Sequence, residues 1–139
     1  MKILLTGSAG FIGFHTSKAL LERGDEVIGF DNFNDYYDPK LKEARNKILE
    51  EYDNFTLVRG DLKDTDSLRK AFDILESGPD TRVCHLAAQA GVRHSIEHPD
   101  MFIEDNVGGF NNIIDLAKEK EVGGFIYASS SSVYGDSKI

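Results

Sequence analysis

Cysteine is almost absent from these 139 residues, lysine and arginine together number only 16 against 24 aspartates and glutamates, and no apolar run is long. The single cysteine, Cys84, cannot close an internal disulfide; its apolar, strand-like setting fits a core position and a reducing cytoplasm. The shortage of basic residues leaves a net charge of -8 and argues against a nucleic-acid surface, where clustered Lys and Arg must meet phosphates. Apolar runs stay far below the roughly 20 residues of a membrane span, and Ile3 to Leu5 is too short for a signal-peptide core. A cytoplasmic protein without membrane contact is therefore expected. Linkers, internal repeats and low-complexity runs are also missing, so one domain is the starting expectation.

What is present is alternation. Short apolar runs at Ile3 to Leu5, Val27 to Phe30, Phe55 to Val58, Val83 to Leu86 and Phe125 to Tyr127 read as five strands. Between them, apolar residues recur at helical spacing: Leu41, Ala44, Ile48, Leu49 and Tyr52; Leu68, Ala71, Phe72 and Leu75; Ile103, Val107, Phe110, Ile114 and Ala117. A first helix runs from about Phe11 to Arg23 and stops at Gly24, while Asp64 is placed to cap the helix through Leu75. Nearly unbroken apolar strands separated by helices predict an α/β, parallel sheet covered on both faces. The chain stops in "SSSSVYGDSKI" directly after the fifth strand, where such a sheet usually continues, so the expectation is the first part of something longer.

The chemistry is concentrated where strands end. Residues 5 to 15, "LTGSAGFIGFH", put Gly7, Gly10 and Gly13 at three-residue spacing between a strand and a helix. Such a corner points free N–H groups, at the positive end of the helix dipole, toward one spot that suits a pyrophosphate. Gly7 permits the turn, Gly10 leaves room for phosphate oxygens and Gly13 lets helix and strand approach. Glycines also mark ordinary turns, but here Asp31 ends the second strand about 20 residues on, where a carboxylate takes ribose hydroxyls. That carboxylate repels a 2′-phosphate and no arginine stands beside it in "FDNFND", so NAD is favoured over NADP. Asp61 either accepts from the adenine amino group or serves as a loop or capping acid. Ala87, Ala88, Ala90 and Gly91 either let a nicotinamide lie flat against backbone or form a plain loop. Asn106 falls on the apolar side of its helix, and a buried amide needs partners, so it is expected to tie down the loop beneath the cofactor. His94 and His98 stand four apart without an evident third ligand, so no metal is expected. His15 and His85 read as packing histidines, and Tyr36 and Tyr37 as a lid or loop filling.

The stretches "LLTGSAGFIG", "FDNFNDYYDPKLKEAR", "GDLKD", "HLAAQAGVRHSIEHP" and "YASSSSVYG", in this order, resemble the extended short-chain dehydrogenase/reductase superfamily, and within it most the UDP-glucuronate 4-epimerases. The resemblance implies a Rossmann-type doubly wound sheet in order 3-2-1-4-5, truncated before its last strands. It implies that Gly7, Gly10, Phe11, Ile12 and Gly13 meet the pyrophosphate of NAD, and that Asp31, Asn32 and Asn34 lie along the adenosine. By the same resemblance Asp61 and Leu62 border adenine, and Leu86, Ala87, Ala88 and Gln89 lie along the cofactor. Asn106 supports it, Ser129 sits near nicotinamide and sugar, and Ser130 matches the catalytic Ser/Thr position. A UDP-sugar substrate follows, with C4 oxidised and the hydride returned to its other face.

The same resemblance assigns the general base to a tyrosine with a lysine four residues later. Tyr134 and Lys138 have that separation, but Tyr134 belongs to the "VYG" turn, so the working pair is expected beyond Ile139, with most of the sugar-binding domain. Related dehydratases and decarboxylases carry acids just after the catalytic Ser/Thr, where this chain has Ser131 and Ser132, which favours epimerisation. Arg93 offers a fork for a uronate carboxylate or diphosphate, or is a structural arginine. A homodimer through the helix carrying Asn106 is a further implication of the family. The rival reading is a non-catalytic dinucleotide-binding module, or a fragment without ligand affinity.

Overall fold

A computed structural model describes residues 1–136; Lys138 lies outside the described residues. Strands β1 (Lys2–Thr6), β2 (Glu26–Asp31), β3 (Phe55–Arg59), β4 (Thr81–His85) and β5 (Phe125–Tyr127) pair in parallel in the order β3-β2-β1-β4-β5. This is the predicted order. Helices α1 (Phe11–Glu22) and α2 (Pro39–Leu49) pack on one face with Leu5, Phe14, Leu21, Val27 and Leu49 between. Helices α3 (Thr65–Leu75) and α6 (Gly109–Glu119) cover the other over Leu4, Ile28, Phe30, Phe72, Val83 and Ile113. Because both faces are covered, Leu4, Leu5, Val27, Ile28 and Val83 are fully buried, which is why the central strands read as unbroken apolar runs.

Helix α1 ends where Gly24 turns with φ +92°, and the Asp64 carboxylate accepts the Asp66 N–H at 3.1 Å to cap α3. The apolar face predicted for α3, Leu68, Ala71, Phe72 and Leu75, is its buried face. No helix of the described residues is long and apolar enough to cross a membrane.

Two helices turn a different side inward than their apolar spacing predicts. In α2 the buried residues are Lys42, Asn46 and Leu49, while Leu41 and Ile48 are exposed. This helix flanks a cavity as well as the core, and Lys42 is its residue in the cavity wall. The segment predicted as one helix around Asn106 begins instead with short helices α4 (Val92–Glu97) and α5 (Pro99–Phe102), followed by a π-helical turn (Ile103–Gly108) leading into α6. Ile103, Val107 and Ile114 face outward; Gly109, Ile113, Leu116 and Ala117 are buried. Gly109 sets this register, because a Cβ there would stand 2.8 Å from the Leu62 Cβ, so only a glycine can make the approach. His15, expected to pack, is exposed on α1 with its ring edge-on to Phe11 and Phe14.

Candidate cofactor site

The chain leaves β1 at Thr6 and turns at Gly7, whose φ of +75° lies in the region that disfavours side chains. Its N–H donates to the Phe30 carbonyl at 2.7 Å, which pins the corner to β2. A Cβ on Gly13 would collide with the Gly7 carbonyl oxygen, so α1 can begin this close to the corner only with glycine there. Gly10, the N-cap of α1, has no side chain to satisfy the first turn, and that turn carries no acidic residue. The N–H groups of Phe11, Ile12 and Gly13 therefore lack intrahelical acceptors and form a positive end open to an anion. The side chains of Phe11 and Ile12 are 65% and 66% exposed, which leaves that end uncovered.

This corner borders a cavity of about 390 Å³. Its walls come from the residues that follow or end all five strands: Gly7 after β1, Asp31 and Asn32 at β2, Gly60 and Asp61 after β3, Leu86 to Ala90 after β4, and Ala128 after β5. In an open parallel sheet ligands bind at this carboxyl edge, where the strand order reverses. Asp31 is buried, with one oxygen accepting the Ala9 N–H at 3.0 Å and the other the Phe33 N–H at 2.9 Å. Each oxygen keeps acceptor capacity for a further donor. Asp61 accepts the Lys63 N–H at 2.9 Å and the Asn32 amide at 3.1 Å, and Asp64 rather than Asp61 caps α3.

The floor of the cavity is held by a hydroxyl. Thr6 Oγ1 accepts the N–H groups of Leu86 at 3.2 Å and Ala87 at 3.1 Å, and lies 2.7 Å from His85 Nδ1. Burial pushes the His85 pKa down to about 4, so its ring is neutral near pH 7. Beyond the floor, the Asn106 side chain mimics a backbone strand: its Oδ1 accepts the Gln89 N–H at 2.8 Å and its Nδ2 donates to the Gln89 carbonyl at 3.0 Å. Asn34 donates to Gln89 Oε1 at 3.4 Å, linking the two sides of the cavity, and Asn112 donates to the Leu62 carbonyl at 2.8 Å.

The cavity thus gathers Gly7, Gly10, Phe11, Ile12, Gly13, Asp31, Asn32, Asn34, Asp61, Leu62 and the Leu86 to Gln89 loop. Asn106 stands behind that loop. Ser129, Ser130 and Arg93 do not line the cavity and are exposed. Ser130 Oγ accepts the Ser132 N–H at 3.2 Å, which caps a short 3₁₀ turn (Ser131–Tyr134). Tyr36 and Tyr37 line the cavity, as does Lys42, which the sequence reading passed over. Tyr134 is 77% exposed. Glu97 joins His94 and His98, one donor atom of each lying within 4.8 Å of the others, a third group unseen in the sequence. The His94 imidazole neighbours the rings of Tyr36, His98 and Phe102.

UDP-glucuronate 4-epimerase 6 of Arabidopsis thaliana is 52% identical over 136 residues, covering 97% of this chain and 29% of that protein. Protein CapI of Staphylococcus aureus is 49% identical over 135 residues, covering 97% of this chain and 39% of its own. Among solved structures, a UDP-glucuronic acid 4-epimerase from Bacillus cereus in complex with UDP-glucuronic acid and NAD superposes with a TM-score of 0.83 at 34% identity, over 100% of this chain and 43% of that one. The chain therefore spans well under half the length of these relatives. The match to one family description runs through the glycine corner, the Asp31 strand and the serine turn alike, over residues 3–139: the chain belongs to the NAD dependent epimerase/dehydratase family.

Proposed function

We propose that this chain is the cofactor-binding part of a nucleotide-sugar 4-epimerase that uses NAD and acts on a UDP-hexuronate such as UDP-glucuronate. The observation that carries the reading is the glycine corner and Asp31 facing one cavity at the carboxyl edge of the sheet. The cradle fits the cofactor on its own terms: the backbone has been stripped of Cβ atoms where a diphosphate must approach, and the first-turn amides of α1 have no other acceptor in their helix. Gly7, Gly10, Phe11, Ile12 and Gly13 hold the pyrophosphate. Asp31, Asn32 and Asn34 lie along the adenosine, with Asp31 taking its ribose hydroxyls; Asp61 and Leu62 border adenine, and Leu86 to Gln89 lie along the cofactor. Asn106 keeps that loop from sagging into the space.

Bound NAD supplies a hydride acceptor and donor for the sugar C4. The chain's own contribution to the reaction is positional. Ser130, whose Oγ is held by the Ser132 N–H, donates to the reacting sugar oxygen, and Ser129 flanks it. Arg93, exposed on α4, is free to meet the uronate carboxylate or the diphosphate. The relatives' greater length leaves room for the tyrosine–lysine base and most of the sugar site beyond Ile139. Ser131 and Ser132, in place of acids, support epimerisation over elimination.

A homodimer is proposed through the helical segment carrying Asn106, where Ile103 and Val107 are 61% and 59% exposed. A cytoplasmic location is proposed because the half-buried Cys84 thiol on β4 suits a reducing compartment. The test is an NMR titration of the 139-residue chain with NAD, beside an assay with UDP-glucuronate. NAD should shift the amides of residues 10–13 and 31–34, and the chain alone should not convert the sugar. Shifts confined to other surfaces overturn the cofactor site; turnover by the chain alone overturns the division of labour.

A further inference from the structure

Sequence alone offers two histidines four apart and no third ligand, which is too few to hold a metal ion. The folded chain supplies the third. At α4, His94, Glu97 and His98 each bring one donor atom to within 4.8 Å of the others. None of the three lines the cavity, so the cofactor site does not account for them.

The backbone sets this arrangement. The His98 N–H donates to the His94 carbonyl at 2.9 Å, which holds the second imidazole one helical turn above the first although Pro99 follows directly. Their ring centres are 4.6 Å apart. His94 is half-buried, with the rings of Tyr36 at 5.4 Å and Phe102 at 6.1 Å, and is the anchored member of the set. Glu97 and His98 are exposed and can turn toward it. Bonds of about 2.0–2.2 Å to nitrogen and oxygen put the ligand atoms of a tetrahedral ion roughly 3.4 Å apart, so rotation of the two exposed side chains is enough to close the set.

The donor chemistry selects the ion. Two imidazoles and one carboxylate suit a borderline divalent transition metal, whereas Mg²⁺ and Ca²⁺ take oxygen ligands. Three protein ligands leave a fourth position to water. Helix α4 has only six residues, well short of the length at which a helix holds itself, and an ion joining successive turns ties it together. It follows immediately on the loop that forms one wall of the cavity.

We propose that His94, Glu97 and His98 form a site for a borderline divalent transition-metal ion, with Zn²⁺ as its probe, and that the bound ion staples α4 at the exit of the cavity loop. The proposal does not depend on what the cavity binds.

The test is an NMR titration of the 139-residue chain with Zn²⁺ and, in parallel, with Mg²⁺. Zn²⁺ should bind one to one, shift the imidazole signals of His94 and His98 and the amides of residues 92–98, and slow amide exchange in α4; Mg²⁺ should do none of these. His94→Gln, Glu97→Gln and His98→Gln should each weaken Zn²⁺ at least tenfold, since losing a residue that merely hydrogen-bonds a metal ligand already costs that much. His15→Gln, at an exposed histidine elsewhere, should change nothing. The amide signals of β1 and β4 report in each variant that the fold is intact, so a loss of affinity is not a loss of structure. Zn²⁺ binding indifferent to any one of the three substitutions, shifts centred on His15 or Cys84, an equal response to Mg²⁺, or no response to Zn²⁺ in excess overturns the site.

Discussion

His85 Nδ1 and Thr6 Oγ1 are 2.7 Å apart at the ends of adjacent strands, and the direction of the proton between them is fixed by their neighbours. The Thr6 oxygen already accepts two backbone N–H groups, from Leu86 and Ala87, which occupies its acceptor capacity. Its hydrogen must therefore point to the histidine. His85 is an acceptor at Nδ1, and a proton there would face the hydroxyl hydrogen. One imidazole thus orients the hydroxyl that shapes the cavity floor.

Stability should fall as His85 is forced to take a proton. Its pKa drops from 6.5 to about 4 on burial, so between these values the unfolded chain holds a proton that the folded chain refuses. The sign follows: the folded state loses roughly 1.4 kcal/mol per pH unit as pH falls through that window, and the loss is complete below about 4. Urea unfolding at pH 7.5 and pH 5 should show a larger difference for the natural chain than for His85→Gln, which still accepts from Thr6 and does not titrate. Equal differences would refute the assignment.

Thr6→Val should leave two partly buried N–H groups without their side-chain acceptor. A loss of about 1–3 kcal/mol is expected, while Thr6→Ser should stay near the natural stability. Amide exchange at Ala87 reports it most directly, since Leu86 retains a 3.3 Å contact to the Thr6 carbonyl.

Gly13→Ala should be among the most damaging single-methyl additions. The new Cβ meets backbone of Gly7 and Ser8, which has no flexible end to move aside. A destabilisation of about 1–3 kcal/mol is expected from overpacking. NAD-induced shifts at residues 10–13 should vanish with it, whereas Gly24→Ala, strained at φ +92° but with no atom near its Cβ position and outside the cavity wall, should leave them intact.

Asn106→Ala removes both bonds to the Gln89 backbone at once. About 1–3 kcal/mol should be lost. Exchange protection at Gln89 should disappear before that of β1, and Asn106→Asp, which keeps the acceptor and loses the donor, should fall between.

The sheet and α3 were legible because their burial is decided by hydrophobic contact alone. Leu68, Ala71, Phe72 and Leu75 meet the sheet and α6, and Ser67 is the one polar residue buried with them on α3. The glycine corner was legible because backbone geometry demands glycine at Gly7 and Gly13 whatever surrounds them. Helix α2 misled for the opposite reason: Lys42 on its inward side lines the cavity, and Lys42 and Asn46 are buried while Leu41 and Ile48 are exposed. Spacing cannot reveal this, since a lysine in a helix reads as a solvated charge until the fold brings Asp31 opposite. Around Asn106 the π turn and the tight Gly109 contact shifted the inward register by one residue, although the tie between Asn106 and the loop was anticipated. The expected closeness of Ser129 and Ser130 to the cofactor is not matched by a place in the cavity wall; both follow the outermost strand, where the described sheet ends.

That outermost strand, β5, has a practical corollary. Ile126 and Tyr127 are 63% and 56% exposed, and among the described residues no neighbour claims the rim beyond them. Bare amides and carbonyls along a sticky margin invite another strand to dock. A longer polypeptide can fill that berth from within; between two copies of the 139-residue chain, docking there is opposed by a net charge of -8 on each. Because salt screens like-charge repulsion, raising it should promote self-association through β5 before it disturbs the interior.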